Sequence, residues 1–140
     1  MKTALRCVLL ALPLAATVLH AAPIDPQLAF AVTGGNWETG GRSGAYRVLV
    51  FTGGFEHVSS RVVAEWVADP TGNDTGPTVL SGHELVGAGF FSLGAPEVVR
   101  IEAGVRVTLS GVDAHSPEQE VSCVFELYPK GQVKVVKPCG

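Results

Sequence analysis

The feature that most constrains this chain is a two-residue hydrophobic period, cut at short intervals by glycine and proline. It is densest from Tyr46 to Asp69. There Tyr-Arg-Val-Leu-Val-Phe-Thr runs into Gly53-Gly54 and then into Phe-Glu-His-Val-Ser-Ser-Arg-Val-Val-Ala-Glu-Trp-Val-Ala-Asp. Side chains that alternate in this way stand on opposite faces of an extended strand, so the stretch reads as two strands folded back across a glycine turn. A turn at Gly53-Gly54 and a longer one at Gly53–Glu56 give the same parity. Either places Leu49, Phe51, Val58, Val62, Ala64 and Trp66 on the buried face. A helix over Val58–Ala68 competes, because Val58, Val62 and Trp66 also fit a four-residue step. The successive valines and the lack of a capping residue with a following acid favour strand.

The same period returns downstream. In Glu97–Ser110 the residues Val99, Ile101, Val105, Val107 and Leu109 share one face if Glu102-Ala103-Gly104 is a three-residue loop with Ile101 opposite Val105. That register sets Arg100 across from Arg106, a like-charge pair that is mildly unfavourable unless something anionic lies between them. Glu118–Tyr128 turns Val121, Cys123, Phe125 and Leu127 inward. Pro129-Lys130-Gly131 then sends Gln132–Lys137 back with Val133 and Val135 on the same face. Thr78–Val86 reads as two short strand fragments around Ser81-Gly82, and Phe90-Phe91 as the closure of one end of the core. Leu28–Val32 is a short first strand. Thr33–Gly44, with five glycines, reads as a loop carrying Trp37. About eight or nine short strands and no amphipathic helix point to an all-β, antiparallel β-sandwich, with a small barrel as the alternative.

The N-terminus carries Lys2 and Arg6, an apolar run from Cys7 to Leu19 interrupted by Pro13, and then His20-Ala21. This is the pattern of an export signal cut after Ala21. The run is too short to span a membrane, and Cys7 lies at its start, away from the cut where a lipid-anchored precursor would need it. Residues 22–140 then form one β domain, periplasmic or secreted, of 119 residues out of 140. Loss of Lys2 and Arg6 leaves 8 of the 10 basic side chains against 13 acidic ones, a net charge of −5. That balance argues against nucleic acid or an anionic membrane as partner. Cys123 and Cys139 are the two cysteines that remain, and in an oxidising compartment they pair as one disulfide.

No nucleophile elbow, zinc-protease helix, phosphate loop or dinucleotide fingerprint is present. His57, His83 and His115 each have an acid nearby (Glu56, Glu84 and Asp113) but lack the close spacing of a metal motif. The candidate contact residues are therefore aromatic and charged side chains on connecting segments. Trp37 and Phe55, flanked by Glu56 and His57, form a rim at the loop ends if both project. Arg100 and Arg106 form an anion contact. The expected function is binding of a protein or glycan partner in the cell envelope, without a cofactor. A small His-based or metal-dependent hydrolase and a structural subunit adding an edge strand to an envelope assembly are the alternatives.

Overall fold

The computed structural model describes residues 23–140, and the expected leader over 1–21 lies outside them. The described residues form two antiparallel sheets packed face to face. The first sheet is a meander of β1 (Leu28–Thr39), β2 (Arg42–Gly53), β3 (Ser59–Ala68) and β4 (Thr78–Val86), in that spatial order. The second contains β5 (Phe91–Leu93), β6 (Glu97–Ile101), β7 (Gly104–Asp113), β8 (Glu120–Tyr128) and β9 (Gln132–Lys137). Its order is β5-β7-β8-β9, and β6 also pairs with β7. β5 and β6 lie end to end along one edge of β7: Leu93 is opposite Gly111 and Glu97 is opposite Thr108. Pro96, which has no N–H to give a ladder, falls in the gap between them. The sheets do not close into a barrel, and no α-helix occurs among the described residues.

The core is what period-two burial requires. β3 shows it most plainly: Ser60, Val62, Ala64, Trp66 and Ala68 are buried, and the residues between them are half-exposed. β7 contributes Val105, Val107 and Leu109, and β8 contributes Val121, Cys123, Phe125 and Leu127, all inward. Tyr46 meets the Trp66 ring edge-on, with centroids 6.0 Å apart. Two side chains pin the sheets together through polar contacts at opposite ends. Ser60 Oγ accepts from Leu93 N at 2.9 Å and donates to Leu93 O at 3.3 Å; Trp66 Nε1 donates to Tyr128 O at 2.7 Å. Cys123 and Cys139 are bonded, with Cα atoms 4.4 Å apart. A register shift between Val124 and Phe125 puts Val124 opposite Lys137, which brings the tail far enough round for Cys139 to bond. A closed loop of this length is worth about 3 kcal/mol.

Four expectations are corrected, two of register and two of where strands run. The β2–β3 connection has an odd number of residues between the paired Gly53 and Ser59, so its parity is the reverse of that expected. Val48 faces Ala64 and Val50 faces Val62, which places Tyr46, Val48 and Val50 in the core. Leu49 and Phe51 stand on the outer face, half-buried, and Val58 is an exposed loop residue. Arg61 covers Phe51, its guanidinium 4.4 Å from the ring centre. Second, the β6–β7 loop has two residues, with Ile101 opposite Gly104. Gly104 is used for close packing, not for a turn: a Cβ there would lie 3.3 Å from Tyr128 Cα and collide with Leu127 O. Val98, opposite Val107, therefore faces inward, while Val99 stands outward opposite Arg106. Arg100 is opposite Val105 and not opposite Arg106.

Third, Thr33–Gly44 is not a loop. β1 runs on to Thr39 and turns at Gly40-Gly41 into β2. The other glycines of the stretch serve packing. Gly35, at φ +62°, is the extra residue of a bulge, and Gly34 lies so close to β6 that a Cβ would sit 2.8 Å from Val98 Cγ1. Fourth, Thr78–Val86, read as two fragments, is one strand with an irregularity between the pairs Trp66–Ser81 and Val67–Val79.

Candidate functional site

The connections divide between the two ends of the sandwich, and so do the candidate residues. Trp37 lies at the end formed by the β1–β2, β6–β7 and β8–β9 turns. It is 3% exposed, and its Nε1 donates to Ala45 O at 3.0 Å. Its cross-strand partner is Gly44, where a Cβ would lie 2.5 Å from Trp37 Cζ2, so the indole occupies the space the glycine leaves. Trp37 thus folds back over the core as a lid and does not project from the loop end. Arg100 opens onto a polar cleft of about 590 Å³ at this end, shared with Asn36, Glu38, Ser43 and Asp69. Ser43 Oγ donates to Asp69 Oδ2 at 2.7 Å there.

Arg106 is elsewhere again, on the outer face of the second sheet. Its Nη2 lies 2.7 Å from Glu126 Oε1, and Glu126 Oε2 accepts from the Tyr128 hydroxyl at 2.7 Å and faces Lys134 Nζ at 3.4 Å. The Tyr128 bond, then the Arg106 bond, lowers the pKa of this nearly buried carboxyl to about 2. The same bond raises the pKa of the Tyr128 hydroxyl. Arg106 is thus already paired with a carboxylate, and Arg100 does not stand opposite it.

Phe55, Glu56 and His57 stand together at the opposite end, in the loop from Gly53 to Ser59. Gly54 has φ +116°, and a Cβ on it would lie 3.1 Å from the carbonyl carbon of His57, so only glycine turns the loop here. Phe55 at its tip is 99% exposed. Two further connections converge on this end. The β4–β5 turn carries Phe90, 65% exposed, and is tied to the start of β3 by Gly89 N donating to Ser59 Oγ at 3.0 Å. The β7–β8 turn is held by Asp113, whose Oδ1 accepts from His115 N at 2.8 Å and Ser116 N at 2.9 Å. Ala114 N donates to Phe90 O at 2.9 Å, which joins the last two turns.

The result is a rim bearing Phe55, Val58 and Phe90 in water beside a cleft of about 320 Å³. His57 and His115 line that cleft with ring centres 4.8 Å apart, one from each sheet's connections. Glu56 and Asp113 line it as well. His83 does not join them: it is exposed on β4, opposite Ala64. Among the described residues no three His, Cys, Asp or Glu side chains are grouped as a metal site. Phe90, expected to close one end of the core, is instead mostly exposed, and His115, noted for the acid beside it, was not placed with the rim. The Gly-Phe-Phe step at 89–91 was the available signal for Phe90; His115 becomes visible only through the contact between sheets. No protein family, no characterised protein and no solved structure matches this chain.

Proposed function

We propose that this protein is an exported binding protein, periplasmic or secreted, that grips a protein or glycan partner of the cell envelope through the Phe55 end of the sandwich, without catalysis and without a cofactor. The observation that carries this reading is the state of Phe55. A phenylalanine 99% exposed at the tip of a glycine-turned loop gives up the roughly 1.5–3 kcal/mol that burial of such a side chain provides. Phe90 and Val58 extend the same apolar rim, and the His57–His115 cleft beside it supplies polar groups that fix orientation. Glu56 and the net negative charge of the mature chain favour a neutral or basic partner over nucleic acid.

The test is affinity capture from a cell-envelope extract, together with a glycan array, using the native protein and a Phe55→Ala, Phe90→Ala double variant. The expected result is a partner retained by the native protein and lost by the double variant. Equal retention by both removes the reading. Sequencing the N-terminus of the protein recovered from the envelope fraction tests export independently, with Ala22 expected first.

A second reading, an envelope subunit that docks by strand addition, draws on β1 alone. Among the described residues it pairs only with β2, and Leu28–Thr33 along its other edge carries no charge. Introducing Val32→Lys would abolish such docking and leave the Phe55 end intact.

A further inference from the structure

The His57–His115 contact goes beyond what a partner-binding rim needs. We infer that these two imidazoles form a binding site for a first-row divalent cation of borderline softness, zinc or copper, that ties one sheet's loop to the other's. The argument is geometric. A histidine nitrogen binds zinc at about 2.0–2.1 Å, which puts the centre of its ring about 3.2 Å from the ion. Two such rings subtending about 90–110° at the ion have centres about 4.5–5.2 Å apart. The observed separation is 4.8 Å.

The surroundings fit the same assignment. Both side chains are exposed, so each ring can turn about its last torsion to direct a nitrogen at the ion. His115 is held in place from behind, because the Asp113 carboxylate fixes its backbone N–H and that of Ser116. The Asp113 Oδ1 atom also lies 4.0 Å from His115 Nδ1, which sets a negative charge beside the ring. Glu56 lines the same cleft. Two imidazoles with water completing the coordination suit zinc or copper, whereas magnesium and calcium require oxygen donors.

The two ligands belong to different sheets: His57 lies between β2 and β3, and His115 between β7 and β8. An ion held by both therefore closes the sandwich at this end and stabilises the folded state in proportion to its occupancy. This separates the inference from the proposed function, since it requires no partner.

The experiment is titration of the full purified chain with zinc chloride by calorimetry, paired with thermal unfolding in zinc and in a chelator. It is repeated for His57→Ala, His115→Ala and His83→Ala. The expected result is one ion per chain, a higher Tm in zinc, and affinity at least about tenfold weaker in each of the first two variants, since loss of even an outer-shell partner costs that much. His83→Ala should bind as the native protein does. Exposed histidines at these positions are replaced without loss of fold, which circular dichroism checks. Absence of binding by the native chain, retention of binding in either His57→Ala or His115→Ala, or an equal loss in His83→Ala overturns the assignment.

Discussion

The two ends of this sandwich hold aromatic residues beside glycines, yet they use them in opposite ways. At one end Trp37 lies across Gly44, its neighbour in the ladder, and donates its indole N–H to Ala45 O. Trp66 does the same kind of work two strands further on, through Tyr128 O. At the other end the glycine beside Phe55 is a turn residue, Gly54 at φ +116°, and it throws the ring into water. Glycine opposite an aromatic makes room for it, and glycine next to an aromatic in a turn exposes it. The first arrangement uses the side chain to close the core, and the second leaves it for contact with something else.

Truncation at the closed end should therefore have the largest effect. Trp37→Ala removes a ring that is 3% exposed together with its hydrogen bond, and the loss expected for such a change is about 3–5 kcal/mol. Urea unfolding measures it. A cost below about 1 kcal/mol would mean that Trp37 is not a lid and that the contrast between the ends is mistaken.

Ser60→Ala probes the open end from beneath. Ser60 Oγ both accepts from and donates to the backbone of Leu93, at 0% exposure. Without it the Leu93 N–H is buried with no partner, at a cost of about 1–3 kcal/mol. A cost of that size would show that the open end has a polar pin of its own and that only its rim is free. If Ser60→Ala unfolds at the same urea concentration as the native protein, the end is loose throughout, and a fixed His57–His115 geometry loses its support.

How much of this could be read from the residues depends on whether one face or both were apolar. The β8–β9 hairpin was legible because Pro129 and Gly131 fix a three-residue loop and only Val121, Cys123, Phe125 and Leu127 offer an inward set. β2 was not, because Leu49 and Phe51 are as apolar as Val48 and Val50, so hydrophobicity does not choose a face and loop parity alone decides. Gly104 misled in the same way as Gly44: both accommodate close backbone or side-chain approach, while composition suggested turns. At the site, Phe55, Glu56 and His57 are adjacent in sequence and stood out together. His115 lies in a turn of the other sheet, between β7 and β8, and no local period links it to His57. Arg100 and Arg106 were paired by a register that a one-residue change in loop length removed.

Acid should loosen the closed end in a predictable direction. The folded pKa of Glu126 is lowered to about 2 from an ordinary 4.5 by its bonds to Tyr128 and Arg106. Above 4.5 the carboxylate is ionised in both folded and unfolded chains, and its contribution is fully present. As pH falls from 4.5 towards 2 the unfolded chain takes up the proton first, so the contribution shrinks and is gone below the folded pKa. Tyr128 also holds Trp66 through its carbonyl, so the loss falls on the same end as Trp37. Tm measured across this range should drop more steeply in the native protein than in Glu126→Gln. Parallel curves would remove the carboxylate from the account.

The smallest effect on folding is expected where the effect on function should be greatest. Phe55→Ala deletes a ring that touches solvent on nearly every side, so its urea midpoint should shift by no more than the ±0.5 kcal/mol typical of open surface positions. The comparison sharpens if this null result in stability accompanies loss of partner retention, because a residue that contributes nothing to the fold and everything to capture has no structural reason to be apolar. It breaks if Phe55→Ala destabilises the chain by as much as Ser60→Ala. That result would require the loop to fold back over the cleft in solution, burying the ring against Val58 and Phe90, and the two ends would then be closed by the same device.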